Sequence, residues 1–139
     1  ESFLPAAEAP ALRQLALAAW RPAVLRAALA LIWLWTAVCS AFIYPVEGSL
    51  ALLAPVGLHG PAALAALYLA AALDGALGIA TLWRPGRRLW AAQLALVLGY
   101  SAVIAIALPQ FLWHPFGPLL KNAAVIALLF ILFCEETRP

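Results

Sequence analysis

Along this chain long apolar runs are separated by short stretches in which proline, glycine and charge collect. A helix that crosses a bilayer needs about 20 consecutive, mostly apolar residues. Four runs meet that requirement, at about 22–44, 61–83, 88–108 and 117–134. Pro22, Pro45, Pro61, Pro85, Pro109, Pro115 and Pro118 stand at or near their boundaries. Proline is accepted in a first helical turn and disrupts helix interiors, so this placement supports those limits. The runs are continuous and rich in Ala and Leu, which favours helices over the alternating strands of a membrane barrel. The pattern predicts an all-α, integral membrane four-helix bundle.

Two flanking segments carry weaker signals. The stretch Ala11–Trp20 is apolar but interrupted by Arg13 and Gln14, and Pro22 follows it. Residues 1–21 are therefore expected to form a short interfacial N-terminal helix, separate from a transmembrane domain at 22–139. The 45–60 segment between spans one and two is apolar at Ser49–Leu53. It is expected to form a half-helix dipping into the outer leaflet.

Composition fits the pattern. Of 139 residues, 67% are hydrophobic and 10% charged, and the mean hydropathy is +1.01. A soluble domain of this size keeps too much surface in water to hide that apolar content. The formal charge of +2 gives no basis for a nucleic-acid partner. The arginines instead sort by side. Arg13, Arg21, Arg84, Arg87, Arg88 and Arg138 all fall at one end of the expected spans, and the 45–60 and 109–116 loops hold no Lys or Arg. The positive-inside rule then gives an N-in/C-in, multi-pass protein of a bacterial inner membrane. Trp20, Trp83 and Trp90 fall near the inner boundary and Trp113 near the outer one, as an aromatic belt requires. Cys39 lies roughly 25 Å along span one from its inner end, whereas Cys134 ends span four. Such a separation forbids a disulfide within one chain.

Polar residues within the spans are the candidates for chemistry. A charge at mid-span costs about 2.5–3.5 kcal/mol on insertion scales. Asp74 lies roughly 13 Å inside span two and Arg26 roughly 6 Å inside span one, within reach of each other through the length of an arginine. Gln93 and Tyr100 bracket the same depth on one face of span three. Arg26, Asp74, Gln93 and Tyr100 are expected to form one buried polar cluster, with an Arg26–Asp74 ion pair. That cluster suits either a structural salt bridge or a ligand and proton site. Small residues Ala70, Ala71, Gly75 and Gly78 surround Asp74 and favour close helix packing.

A second group, Glu47, His59, His114, Lys121 and Asn122, is expected at the outer mouth. Two histidines and a carboxylate are metal-ligand types, but their spacing is not that of a metal motif, and loop-capping roles account for them. No metal site is assigned. No hydrolytic triad and no Gly-rich phosphate loop occur in the sequence.

Three segments carry a family likeness: Tyr44-Pro45-Val46-Glu47 leading to Ser49-Leu50 and Val56-Gly57-Leu58; Arg87-Arg88-Leu89-Trp90 followed by Gln93 and Leu98-Gly99-Tyr100; and His114-Pro115-Phe116-Gly117-Pro118-Leu119-Leu120-Lys121-Asn122. From about Arg21 to Cys134 the chain resembles the DoxX-like family of small four-helix membrane proteins. The likeness is strongest to the branch that occurs alone or fused behind a short-chain-dehydrogenase-type NAD(P)-binding domain. The resemblance implies membrane redox work, since the wider family includes a subunit of a thiosulfate:quinone oxidoreductase. The leading expectation is a non-catalytic accessory or scaffold subunit of a larger electron-transfer or quinone-linked complex, not an enzyme on its own. The alternative is a quinone-binding subunit of an oxidoreductase, and the third reading is a small proton-coupled transporter. No resident cofactor is expected, and a quinone is the one candidate ligand. The partners implied are the lipid bilayer, other membrane subunits and an NAD(P)-binding redox protein.

Overall fold

A computed structural model describes residues 9–113 and 118–137. Helix α1 runs Ala9–Val38 and passes through Pro22 without a break. The expected separate interfacial helix is thus corrected: the described part of residues 1–21 is the first portion of α1. Proline removes one backbone hydrogen bond but holds a φ that helices share. The Ala- and Leu-rich flanks have enough helix propensity to carry the chain through.

At its far end α1 loosens into a π-turn at Cys39–Ile43, closed by Tyr44 N–H donating to the Cys39 carbonyl at 2.8 Å. Pro45 then starts α2, Val46–Leu53, the half-helix expected from the sequence, and it covers more residues than Ser49–Leu53. A 3₁₀ turn at Ala54–Val56 ends on Gly57, whose φ of 84° only glycine adopts readily. Helix α3 spans Gly60–Trp83 and α4 spans Arg87–Ala107, close to the expected spans two and three. The short α5 at Gln110–Trp113 precedes α6, Pro118–Glu135. No strand occurs among the described residues. Three helical stretches there are long and apolar enough to cross a membrane: Pro10–Ile43, Gly60–Trp83 and Arg87–Ala107. The protein is an all-α membrane protein.

The long helices associate as two pairs, α1 with α3 and α4 with α6. Lipid offers no hydrophobic drive for helices to meet, so close packing and polar bonds must hold them. In the first pair Gly78 supplies the closeness: a Cβ there would lie 2.7 Å from Leu34 Cγ and 3.2 Å from the Leu34 backbone nitrogen. Buried positions on α3 are all small, namely Ala63, Ala71, Gly78 and Thr81. The large core residues come from the other three helices: Leu29 and Trp33 of α1, Trp90 and Val97 of α4, Leu129 and Leu132 of α6. Outward-facing residues such as Leu31, Leu69, Ile106 and Phe130 are left uncovered, as lipid-facing positions are.

One end of the bundle is tied by charge. Arg21 pairs with Glu135 at 3.1 Å, joining α1 to the last turn of α6. The Arg87 guanidinium lies 4.5 Å from the centre of the Phe133 ring, and Trp90 Nε1 donates a long bond to Glu136 Oε2 at 3.4 Å. These contacts bring Arg21, Arg87 and the end of α6 to the same end of the bundle.

Candidate functional site

The residues expected to form one inner cluster fall into three separate settings. Arg26 sits near the tied end, where its Nη2 donates to the Leu82 carbonyl at 3.2 Å. It caps the last turn of α3, where carbonyls lack intrahelical partners and favour a cation. The expected Arg26–Asp74 ion pair does not form. Leu82 lies two turns along α3 from Asp74, so the arginine reaches the helix end and not the carboxylate. Pro22, Arg26, Leu132, Glu135, Glu136 and Thr137 line a small recess of about 170 Å³ at this end.

Gln93 occupies the second setting, sealed from solvent with 0% exposure. Trp33 Nε1 donates to Gln93 Oε1 at 2.9 Å. Gln93 Nε2 donates to Thr81 Oγ1 at 2.9 Å. The Thr81 hydroxyl in turn donates to the Leu77 carbonyl at 2.7 Å. This chain of bonds crosses α1, α4 and α3 at one level. Each of the three side chains donates to an acceptor, the condition under which a buried polar network is stable.

Asp74 and Tyr100 make the third setting. Together they line a cleft of about 490 Å³ to which α1, α3, α4 and α6 all contribute. Trp33 and Thr36 of α1 and Asn122 of α6 supply further polar or aromatic wall, and Leu73, Leu96 and Val125 supply apolar wall. Asp74 is half-buried, and among the described residues neither its carboxylate nor the Tyr100 hydroxyl has a hydrogen-bond partner. Thr36 Oγ1 donates to the Ile32 carbonyl at 2.8 Å, and Asn122 Nδ2 donates to Ser101 Oγ at 2.9 Å.

The expected outer group is dispersed as well. Asn122 belongs to the cleft. Glu47 in the first turn of α2, His59 just before α3, and Lys121 are all exposed. His114 lies outside the described residues. Among the described residues no three His, Cys, Asp or Glu side chains gather as metal ligands. Cys39 and Cys134 are free thiols.

Trp33, Thr36, Thr81 and Ser101 were not singled out from the sequence. A helical signal for one of them, Thr81, exists. Thr81 is seven residues from Asp74 on α3, and Gln93 is seven from Tyr100 on α4, so each pair shares one face. In an antiparallel hairpin, positions whose numbers have the same total lie level with one another. Asp74 with Tyr100 and Thr81 with Gln93 have the same total, and the structure shows both as facing pairs.

The arrangement offers a hydrogen-bonding, partly aromatic cleft in an otherwise apolar bundle. No curated protein and no solved structure matches the chain. The model of the DoxX-like family matches residues 30–130, which contain the whole cleft and the Trp33–Gln93–Thr81 network. With that match covering well over half its length, the chain belongs to the DoxX-like family.

Proposed function

We propose that this protein is a four-span protein of the bacterial cytoplasmic membrane that holds a quinone-class carrier in the cleft between its helix pairs. It does so as a non-catalytic subunit of a larger electron-transfer complex. The observation that carries this reading is the cleft itself. Its 490 Å³ falls within the roughly 300–1,000 Å³ usual for small-molecule sites. The Trp33 ring suits a flat ring system, the polar groups suit ring oxygens, and the apolar wall suits a prenyl tail.

Helix α6 is the fourth span in this reading. Its 18 residues rise about 27 Å, close to the ~30 Å hydrocarbon core. The arginine-rich end faces the cytoplasm, by the charge asymmetry of the sequence. Arg84, Arg87 and Arg88 there form an exposed basic rim suited to an NAD(P)-binding redox partner.

The test is gentle purification from native membranes, followed by solvent extraction and identification of bound lipids and co-purifying chains. The expected result is a quinone in near-stoichiometric amount together with partner subunits. Leu73→Trp, which fills the cleft from a partly exposed α3 position, should abolish the quinone and keep the partners. Quinone retained at full level by that variant, or no quinone in the parent protein, overturns the cleft assignment. Quinone present with no partner chain overturns the subunit assignment alone.

A further inference from the structure

The polar groups of the cleft differ in how much hydrogen-bonding capacity they have left. The Trp33 indole N–H is committed to Gln93 and the Thr36 hydroxyl hydrogen to the Ile32 carbonyl. One Asn122 N–H is committed to Ser101. With Asp74 ionised, what remains toward a ligand is mostly acceptor: both Asp74 oxygens, the Asn122 carbonyl oxygen and the lone pairs of Thr36. The donors left over are the Tyr100 hydroxyl and the second Asn122 N–H. The cleft is therefore rich in acceptors, and its strongest one is a carboxylate with no partner among the described residues.

A quinone carries carbonyl oxygens that only accept. Its reduced form, the hydroquinone, carries hydroxyls that donate. We infer that the cleft selects the hydroquinone, with Asp74 the specificity-determining residue that accepts a hydrogen bond from one ring hydroxyl. This rests on the quinone-class reading of the cleft and adds to it which redox form is bound. The oxidised ring brings its carbonyl lone pairs against the carboxylate and can be met only by Tyr100 and Asn122. The hydroquinone presents a hydroxyl to Asp74 and still accepts from Tyr100. A hydrogen bond to a charged acceptor is among the stronger ones proteins make, and the preference for the reduced form should be about tenfold or more.

The experiment measures binding of a short-chain ubiquinone analogue, oxidised and chemically reduced under anaerobic conditions, to the full-length protein in detergent micelles. Quenching of tryptophan fluorescence reports occupancy, because Trp33 lines the cleft. The parent protein should bind the reduced analogue about tenfold more tightly. Asp74→Asn keeps the side-chain shape and adds an N–H donor, so it should bring the two affinities to near equality. Tyr100→Phe removes a free donor and should weaken the oxidised form more, widening the preference. Its ring stays in place at a partly exposed position, so folding is preserved. Equal affinity for both forms in the parent protein, or an unchanged preference in Asp74→Asn, overturns the inference and leaves quinone-class binding standing. Absence of binding by either form overturns both.

Discussion

The indole nitrogen of Trp33 donates to the side-chain oxygen of Gln93 across 2.9 Å, joining α1 to α4 over a sequence separation of 60 residues. Neither residue is reachable by solvent to any useful extent, at 4% and 0% exposure. Gln93 passes the connection to Thr81, so one amide ties three helices. Gln93→Leu should leave the Trp33 N–H without an acceptor in a dry interior. Unsatisfied buried donors cost about 1–3 kcal/mol, and interhelical bonds in membranes average about 0.6 kcal/mol with a maximum near 1.7. We expect a loss of about 1–2 kcal/mol in reversible unfolding by denaturing detergent in mixed micelles. Trp33→Phe combined with Gln93→Leu should cost less than the sum of the two single changes, because the orphaned donor is gone. Strict additivity would mean that the bond contributes nothing.

Helix α3 supplies a matched pair of glycine tests with α4. Adding a methyl at Gly78 places it 2.7 Å from Leu34 Cγ and 3.2 Å from a backbone nitrogen, and a backbone cannot step aside cheaply. Gly78→Ala should force α1 and α3 apart and cost about 1–3 kcal/mol, the usual range for overpacking. The gain in helix propensity, about 1 kcal/mol, offsets only part of that. Gly99 has nothing within 4 Å of the same methyl position. Gly99→Ala should be neutral or stabilising by up to about 1 kcal/mol. Thermal unfolding of the two variants beside the parent checks both signs at once.

The fold was legible because it rests on a long-wavelength signal. Twenty-residue apolar runs and their prolines locate α3 and α4 to within a residue, and the apolar Ser49–Leu53 stretch announces α2. Pro22 misled because a single proline signals a break only when the flanks are indifferent, and here they are strong helix formers. The site was half legible. Asp74, Tyr100 and Asn122 stood out as polar residues within or at the edge of apolar runs. Their grouping did not, because depth alone does not say toward which neighbour a side chain turns. Arg26 and Asp74 looked compatible in depth, yet the nearer demand on Arg26 is the open carbonyl end of α3. Trp33 and Thr81 were invisible for a different reason: a tryptophan and a threonine in a membrane span are ordinary until their partner is known.

Orientation is open to direct measurement. In a background with Cys39→Ala and Cys134→Ala, a single cysteine can be placed by His59→Cys or Arg88→Cys, both at exposed positions outside the helix cores. With an impermeant maleimide on spheroplasts, His59→Cys should label from outside. Arg88→Cys should label only after permeabilisation, as the positive-inside distribution requires. The reversed pattern would refute the inward placement of the arginine-rich end. Labelling of both without permeabilisation would refute an odd number of spans between them and, with it, the assignment of α3 as a span.

The separation of Arg26 from Asp74 has an energetic consequence. Had they formed an ion pair, removing either partner would strand the other charge in an apolar bundle, and the double variant would recover much of the loss. The structure gives Arg26 to the Leu82 carbonyl and leaves Asp74 on the cleft wall. Arg26→Leu removes a helix-end cap, worth about 0.3–1 kcal/mol for a cation at a helix C-terminus. Asp74→Asn removes a charge that no arginine among the described residues balances, so it should be neutral or stabilising. Sites that share no partner add to within about 0.5 kcal/mol. The Arg26→Leu, Asp74→Asn cycle should therefore close within that margin in the same mixed-micelle unfolding assay. A coupling well above 1 kcal/mol would show that the two charges meet in the membrane after all.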